Sequence, residues 1–265
     1  MSRICTLASS SSGNSTYISG GSTALLIDAG TSCRNILQTI KNFELDAEQI
    51  KGILITHEHV DHVKALSVLL KKLNIPIYAS KQVLEYIEDN ITLPANTVLN
   101  EADENGFDVG EIHITPFCTP HDSVGSLGFR LGMPDNSEIG YATDIGEFNQ
   151  TVFNGLKGCG TVVIESNYDD SLLDFGPYPY IVKKRIRSSL GHLSNQGCAD
   201  AVHKLVQHGS KNFILAHLSC QNNLPLLAKQ SCISKLSENG FVQDKDFTLD
   251  VAPKTGGKLL VCSSL

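Results

Sequence analysis

The sequence predicts an α/β (α+β) fold, with two β-sheets packed face to face and helices on the outside. Three observations carry that expectation. Strand and helix patterns alternate from residue 4 to residue 88, closely spaced strands take over between residues 97 and 141, and alternation returns up to residue 262. Pro, Gly and Ser are scattered and no linker interrupts the chain, so residues 1–265 are expected to form a single domain.

Taken in order, residues 4–8, 16–19 and 24–28 read as strands, with the serine run Ser9, Ser10, Ser11, Ser12 and then Gly13 and Asn14 as the first turn. Residues 33–43 place Ile36, Leu37 and Ile40 at helical spacing. A strand at 52–55, an amphipathic helix at 63–73, a strand at 75–79 and a helix at 82–88 follow. The dense middle holds strands at 97–99, 107–109, 112–117, 127–131 and 138–141. Beyond it come a helix at 146–154, a strand at 161–164, helices at 180–188 and 196–208, a strand at 212–216, a helix at 224–238 and a strand at 258–262.

A hydrophobic content of 41% over 265 residues is enough to bury a sizeable core. The first residues lack the apolar centre of a signal peptide, and no run of roughly 18 apolar residues occurs, so a soluble cytoplasmic protein with no membrane partner is expected. Eight cysteines without any C-x-x-C pair read as buried free thiols. A formal net charge of −7 argues against non-specific wrapping of nucleic acid. It does not exclude a phosphate substrate. Lys183, Lys184, Arg185 and Arg187 form a basic run that reads equally as a phosphate contact or as a solvated helix face.

The chemistry concentrates in Thr56-His57-Glu58-His59-Val60-Asp61-His62, where three histidines and one aspartate follow a short apolar strand. In an extended segment His57 and His59 point the same way, and Asp61 and His62 turn toward a second point as a helix begins. One loop can thus serve two neighbouring cations. His121, Asp144 and His217 each follow an apolar strand, where a rigid scaffold holds a ligand in a cleft. His113, His203 and His208 lie within a strand or on a helix and read as non-ligands.

In that order, His57, His59, Asp61, His62, His121, Asp144 and His217 resemble the ligands of the metallo-β-lactamase fold superfamily and its H-x-H-x-D-H signature. The resemblance implies a four-layer αββα sandwich holding two divalent metal ions, Zn2+ or Mn2+. By it, His57, His59 and His121 hold one ion, Asp61, His62 and His217 the other, and Asp144 bridges them. Two ions so close can share a hydroxide, because metal binding lowers the pKa of water from 15.7 toward about 7.

Glu165-Ser166-Asn167 and Gly191-His192-Leu193-Ser194-Asn195 resemble paired motifs of the tRNA 3′-processing endonucleases of this superfamily. The likeness is closer to the bacterial YycJ/WalJ/VicX family. Leu7-Ala8-Ser9-Ser10-Ser11-Ser12-Gly13-Asn14, Tyr178-Pro179, Lys184-Arg185-Ile186, His217-Leu218-Ser219 and Asn222-Asn223-Leu224-Pro225 complete it over essentially the whole chain. Ser10 stands where that family usually has glycine, and Tyr168 where a histidine often follows Glu-Ser-Asn. The implied activity is cleavage of DNA phosphodiester bonds, as a 5′-to-3′ exonuclease on duplex DNA with 5′ ends. Asp61, Glu165 and His192 are the catalytic candidates, with His192 supplying a proton under the orientation of Glu165. Lys184 and Arg185 are candidate backbone contacts. Ser12 and Asn14 read either as phosphate or metal-site support or as parts of a tight turn, and Asp122 either as support for His121 or as solvated. Two other readings stand beside this one: a small phosphodiester or thioester hydrolase, and a regulatory protein linked to a cell-wall two-component signalling system.

Overall fold

The computed structural model describes residues 1–262. Strands β1 (Ser2–Ala8), β2 (Ser15–Gly20), β3 (Thr23–Ile27), β4 (Ile50–Leu54), β5 (Ile77–Ala79) and β6 (Leu99–Glu101) lie side by side in that order. A second sheet contains β7 (Phe107–Val109), β8 (Ile112–Cys118), β9 (Leu127–Gly132), β10 (Glu138–Ala142), β11 (Thr161–Glu165), β12 (Asn212–Ala216) and β13 (Thr248–Val251), also in sequence order. The last strand, β14 (Lys258–Cys262), returns to the first sheet and pairs antiparallel with β1, Ser2 opposite Cys262. The helices are α1 (Cys33–Asn42), α2 (Val60–Val63), α3 (Leu66–Leu73), α4 (Lys81–Asn90), α5 (Gln150–Leu156), α6 (Asp170–Phe175), α7 (Tyr180–Ile186), α8 (Asn195–Val206) and α9 (Pro225–Glu238).

Both faces of each sheet are apolar, and the period of two along each strand divides its residues between two cores. Ile4, Ile18, Leu25, Ile27 and Leu54 meet Ile114, Phe129, Leu131, Val163 and Ile214 between the sheets. The intervening residues Leu7, Leu26, Ile53 and Ile77 pack outward against α1, α3 and α4. On the second sheet Val162, Ile164, Phe213 and Leu215 pack against α5, α8 and α9. The four layers expected from the resemblance are therefore present. β3 to β6 are parallel, as are β10 to β13, so the carboxyl ends of these strands collect at sheet edges, where α/β folds hold their ligands.

Several local expectations differ, the helix expected at 146–154 among them, since α5 starts only at Gln150. The helix expected at 63–73 is broken between α2 and α3, because the Ala65 N–H donates to Ala29 O (2.8 Å) in the loop after β3 rather than back along a helix. The strand expected at 97–99 starts two residues later, after a turn closed by the Thr97 N–H on Pro94 O. β13 and α6 have no counterpart in the sequence reading: one is four residues long and the other six, too short for a period to register. Cys118 and Cys220 are exposed, and the other six cysteines are buried free thiols.

Candidate metal centre

Five of the seven presumed ligands sit just beyond a strand. β4 leads into His57 and His59, β8 into His121, β10 into Asp144 and β12 into His217, while Asp61 and His62 lie on α2. Asp28, Asp144 and His217 have left-handed backbone, with φ of 62°, 56° and 54°. Non-glycine residues seldom adopt this conformation, and where they do they concentrate at functional sites. The sheet edges thus place the ligands, and the strained backbone aims three of the side chains.

The side chains converge as two trios. His57 Nε2 lies 3.1 Å from His59 Nδ1, which lies 3.4 Å from His121 Nε2. Nitrogens bonded tetrahedrally to one ion at ~2.0–2.1 Å would stand ~3.3 Å apart, the spacing found here. In the second trio Asp61 Oδ2 is 3.5 Å from His62 Nε2 and 3.4 Å from His217 Nε2. Asp144 lies between them, Oδ2 3.3 Å from His62 Nε2 and Oδ1 3.7 Å from His121 Nε2. Its Oδ2 is buried without a hydrogen-bond partner, a costly state for a carboxylate oxygen and one that a cation would relieve. The donor set of imidazoles and carboxylates suits a divalent ion, and the residues fit one.

The outward nitrogens of four histidines are fixed. His62 Nδ1 donates to Asp28 Oδ2 (2.8 Å), and His121 Nδ1 donates to Gly191 O (3.0 Å). The Thr56 hydroxyl gives its proton to Asp28 and accepts from His57 Nδ1 (3.0 Å). His217 Nδ1 donates to Glu165 Oε1 (2.9 Å). Each bond commits one ring nitrogen as the donor and turns the other toward the site, which is how supporting groups orient metal ligands. His192 Nδ1 donates to the same Glu165 Oε1 (2.8 Å), while Glu165 Oε2 accepts from the Ile145 and Leu193 N–H groups. Glu165 is fully buried and serves both histidines at once.

Sequence reasoning missed Asp28, Thr56 and Ser9. Ser9 accepts the His217 N–H on its hydroxyl (2.8 Å) and so steadies the strained turn at that ligand. The only local signal was an aspartate closing an apolar strand in Leu25-Leu26-Ile27-Asp28.

Opposed charges set the titration of the site. Burial would raise the Asp61 and Asp144 carboxyls, but His62 and His217 hold both well below the usual range. Burial would lower the His62 and His217 imidazoles, but for His62 the carboxylates of Asp28 and Asp144 prevail and hold it well above its ordinary value. Asp144, Asp61 and Glu165 raise His217 to about 10. Burial pushes His57, which faces mainly other imidazoles, downward, and it does the same to His121 against the opposing pull of Asp144. Burial thus favours the neutral rings of His57 and His121, while His62 and His217 stand among carboxylates as ion pairs.

Asn14 is buried. Its Nδ2 lies 3.3 Å from Asp61 Oδ2 and 3.1 Å from His62 Nε2, and its Oδ1 accepts from the Ser10 N–H. Ser12 is exposed, with Oγ 3.7 Å from Cys220 Sγ. Arg185 grips Asp122, whose Oδ1 lies 3.4 Å from His121 Nε2, so Asp122 links α7 to the first trio. Lys184 is exposed and makes no ion pair among the described residues. His113, His203 and His208 stand outside the clusters, His113 paired with Asp108. Tyr168, at the position of the expected histidine, packs against Leu173 and Ile186. Glu165-Ser166-Asn167 and the asparagines of later motifs close a buried network: the Ser166 hydroxyl donates to Asn195 Oδ1, and Asn195 and Asn223 exchange amide hydrogen bonds.

Fold and ligand set together define the metallo-β-lactamase class of hydrolases, and residues 23–218 match the Beta-lactamase superfamily domain. The chain is 34% identical to Exodeoxyribonuclease YycJ of Bacillus anthracis, across 96% of each chain. It is 32% identical to Exodeoxyribonuclease WalJ of Streptococcus pneumoniae, across 96% of its own length and 95% of the relative's. Within the superfamily, the chain belongs to the YycJ/WalJ family. Among solved structures, the fold is similar to that of YhfI from Bacillus subtilis, with a TM-score of 0.73 at 15% identity over 97% of this chain and 99% of the other. The short form of human tRNase Z superposes with a TM-score of 0.64 at 18% identity over 98% and 99%.

Proposed function

We propose that the chain is a metal-dependent exodeoxyribonuclease that holds two divalent cations, zinc or manganese, and removes nucleotides from the 5′ ends of duplex DNA in the cytoplasm. Family membership supports this reading, and the observation that carries it is the Glu165–His192 pair beside the two trios. A sugar alkoxide is a poor leaving group, so its departure calls for a proton donor, which an activated leaving group would not need. His57, His59 and His121 would hold one cation, Asp61, His62 and His217 the other, with Asp144 between them. When bound, the cations supply positive charge for the phosphate oxygens and acidify a water. In the protonated ring Glu165 holds the Nδ1–H of His192, so the second proton, on Nε2, passes to the departing oxygen and leaves the ring neutral. Arg185, held by Asp122 at the edge of the first trio, meets the phosphate backbone, and Lys184 lies one residue before it. Among the described residues no helix is long and apolar enough to cross a membrane.

The test is a digest of duplex DNA labelled at the 5′ or the 3′ end, with manganese or zinc supplied. Release of label from the 5′ end first, and its loss in Asp144→Ala, is the expected result. Absence of cleavage with any divalent cation, or full cleavage by Asp144→Ala, would refute the proposal.

A further inference from the structure

Helices α6 and α7, joined through Gly176-Pro177-Tyr178-Pro179, form a shelf against the ligand loops. Its underside is a small core of its own, with Tyr168, Leu173 and Ile186 buried and Tyr178 and Val182 packed on them. Lys183 Nζ donates to Asp174 O (2.8 Å), and the Arg187 guanidinium bonds Asp174 Oδ1 (2.7 Å), locking one helix to the other. The two prolines restrict the link further. The shelf joins the site at its far end, where the His192 N–H donates to Ile186 O (2.8 Å) and Arg185 grips Asp122.

The outer surface of this stiff frame is apolar. Phe175 is 93% exposed, Tyr180 80% and Ile181 71%. Packing within the chain does not account for two aromatic rings held out in water. Beside them runs a groove of about 580 Å³ lined by Tyr180, Lys183, Lys184, Arg187, Ser188 and Asp174, where three cations face one carboxylate, itself paired with Arg187. In a chain of net charge −7, cations gathered next to exposed rings complement a ligand that is anionic along its length and flat and apolar along its side. Unpaired nucleotides have that chemistry, because every base offers a face for stacking and every linkage a charge.

We infer that the α6–α7 shelf binds the unpaired strand at a DNA end, with Phe175 and Tyr180 stacking on bases and Lys184 meeting phosphate. The inference rests on the nuclease reading and adds where the strand lies. Tyr180 stands five residues before Arg185 on α7, about 7.5 Å along a helix axis, or roughly two base steps. The stacked bases thus lie about two nucleotides from the phosphate at Arg185.

Binding is measured on the metal-loaded full chain by fluorescence anisotropy, using phosphorothioate DNA to resist cleavage, either blunt or with a 5′ overhang. Phe175→Ala/Tyr180→Ala, both changes being at exposed positions, is expected to weaken overhang binding about tenfold or more and blunt binding little. The slope of affinity against salt should be unchanged by it, whereas Lys184→Ala should reduce that slope by about one. Tyr180→Phe, which keeps the ring, should bind normally. Equal overhang affinity in the double variant overturns the inference. So does a dimer that the double variant dissociates while DNA affinity stays the same, since the shelf would then be a contact between copies. Hydrolysis of bis(4-nitrophenyl) phosphate, too short to reach the shelf, should be unaffected by the double variant. Its absence in the parent chain with any cation counts against the nuclease reading, and the anisotropy comparison still decides the shelf.

Discussion

One carboxylate oxygen of Glu165 accepts from both His192 and His217, so two substitutions around it should part company. On the proposed reading, His192→Ala removes the proton donor and leaves the candidate ligands intact. Metal content should stay full, and turnover on DNA should fall roughly 10²- to 10⁴-fold, with little loss on a nitrophenyl ester whose leaving group needs no proton. Glu165→Gln also frees the His217 ring and should lower metal content as well. Equal losses of His192→Ala on both substrates would show that the histidine is not the donor. The titration of the ligands gives a second prediction. His62 and His217 are held above the ordinary imidazole value, so both carry protons at neutral pH and must lose them to ligate. Cation binding should therefore release on the order of two protons, and affinity should rise with pH. Calorimetry in two buffers of different protonation enthalpy measures that release, and heats that do not depend on buffer would contradict it. The candidate ligand cluster was legible in the sequence because its chemistry is dense and local, and the residues at the strand ends that converge on it because an apolar run announces each of them. Asp28, Thr56 and Ser9 were not: each acts through a buried hydrogen bond to a partner whose position in space the chain order does not reveal.

At the scale of elements, the loop after β3 shapes the site as much as the histidine loop does. Ala29 O takes the Ala65 N–H that separates α2 from α3, and the Ala29 N–H donates to His62 O (2.7 Å). Gly30 follows, and a Cβ there would stand 1.5 Å from Asp61 O. No rotamer relieves a clash with backbone. Gly30→Ala should destabilise the chain by about 3 kcal/mol or more and lower its metal content by moving Asp61. Chemical denaturation with a metal assay checks both, and an unaltered midpoint would show that the loop yields. Helices and strands of ordinary length were readable from their periods. The break at Ala65 was not, because the residues on either side continue a helical pattern and the interruption comes from a distant carbonyl.

For the whole molecule, the alternation of strands and helices foretold two sheets with helices outside, since that pattern has few other ways to bury both faces of a strand. The return of β14 to β1 was not foretold, because a terminal apolar strand fits either sheet equally well. The site spans both sheets: His57, His59, Asp61 and His62 follow the first, and His121, Asp144 and His217 the second. A cation held only by the folded arrangement stabilises it by mass action, by about 2.7 kcal/mol at a hundredfold excess over Kd. For a chain of this size that is a rise of about 5–10 °C in Tm, lost with a chelator and restored by the metal. A melting temperature indifferent to chelation would mean that the ligands hold no ion. Because the candidate ligands lie on either side of the seam between the sheets, an ion held there would also clasp the two halves of the chain together. Scarcity of the metal would then do more than silence the enzyme: it would shorten the lifetime of the protein, and the amount present in a cell would follow the supply of its cation.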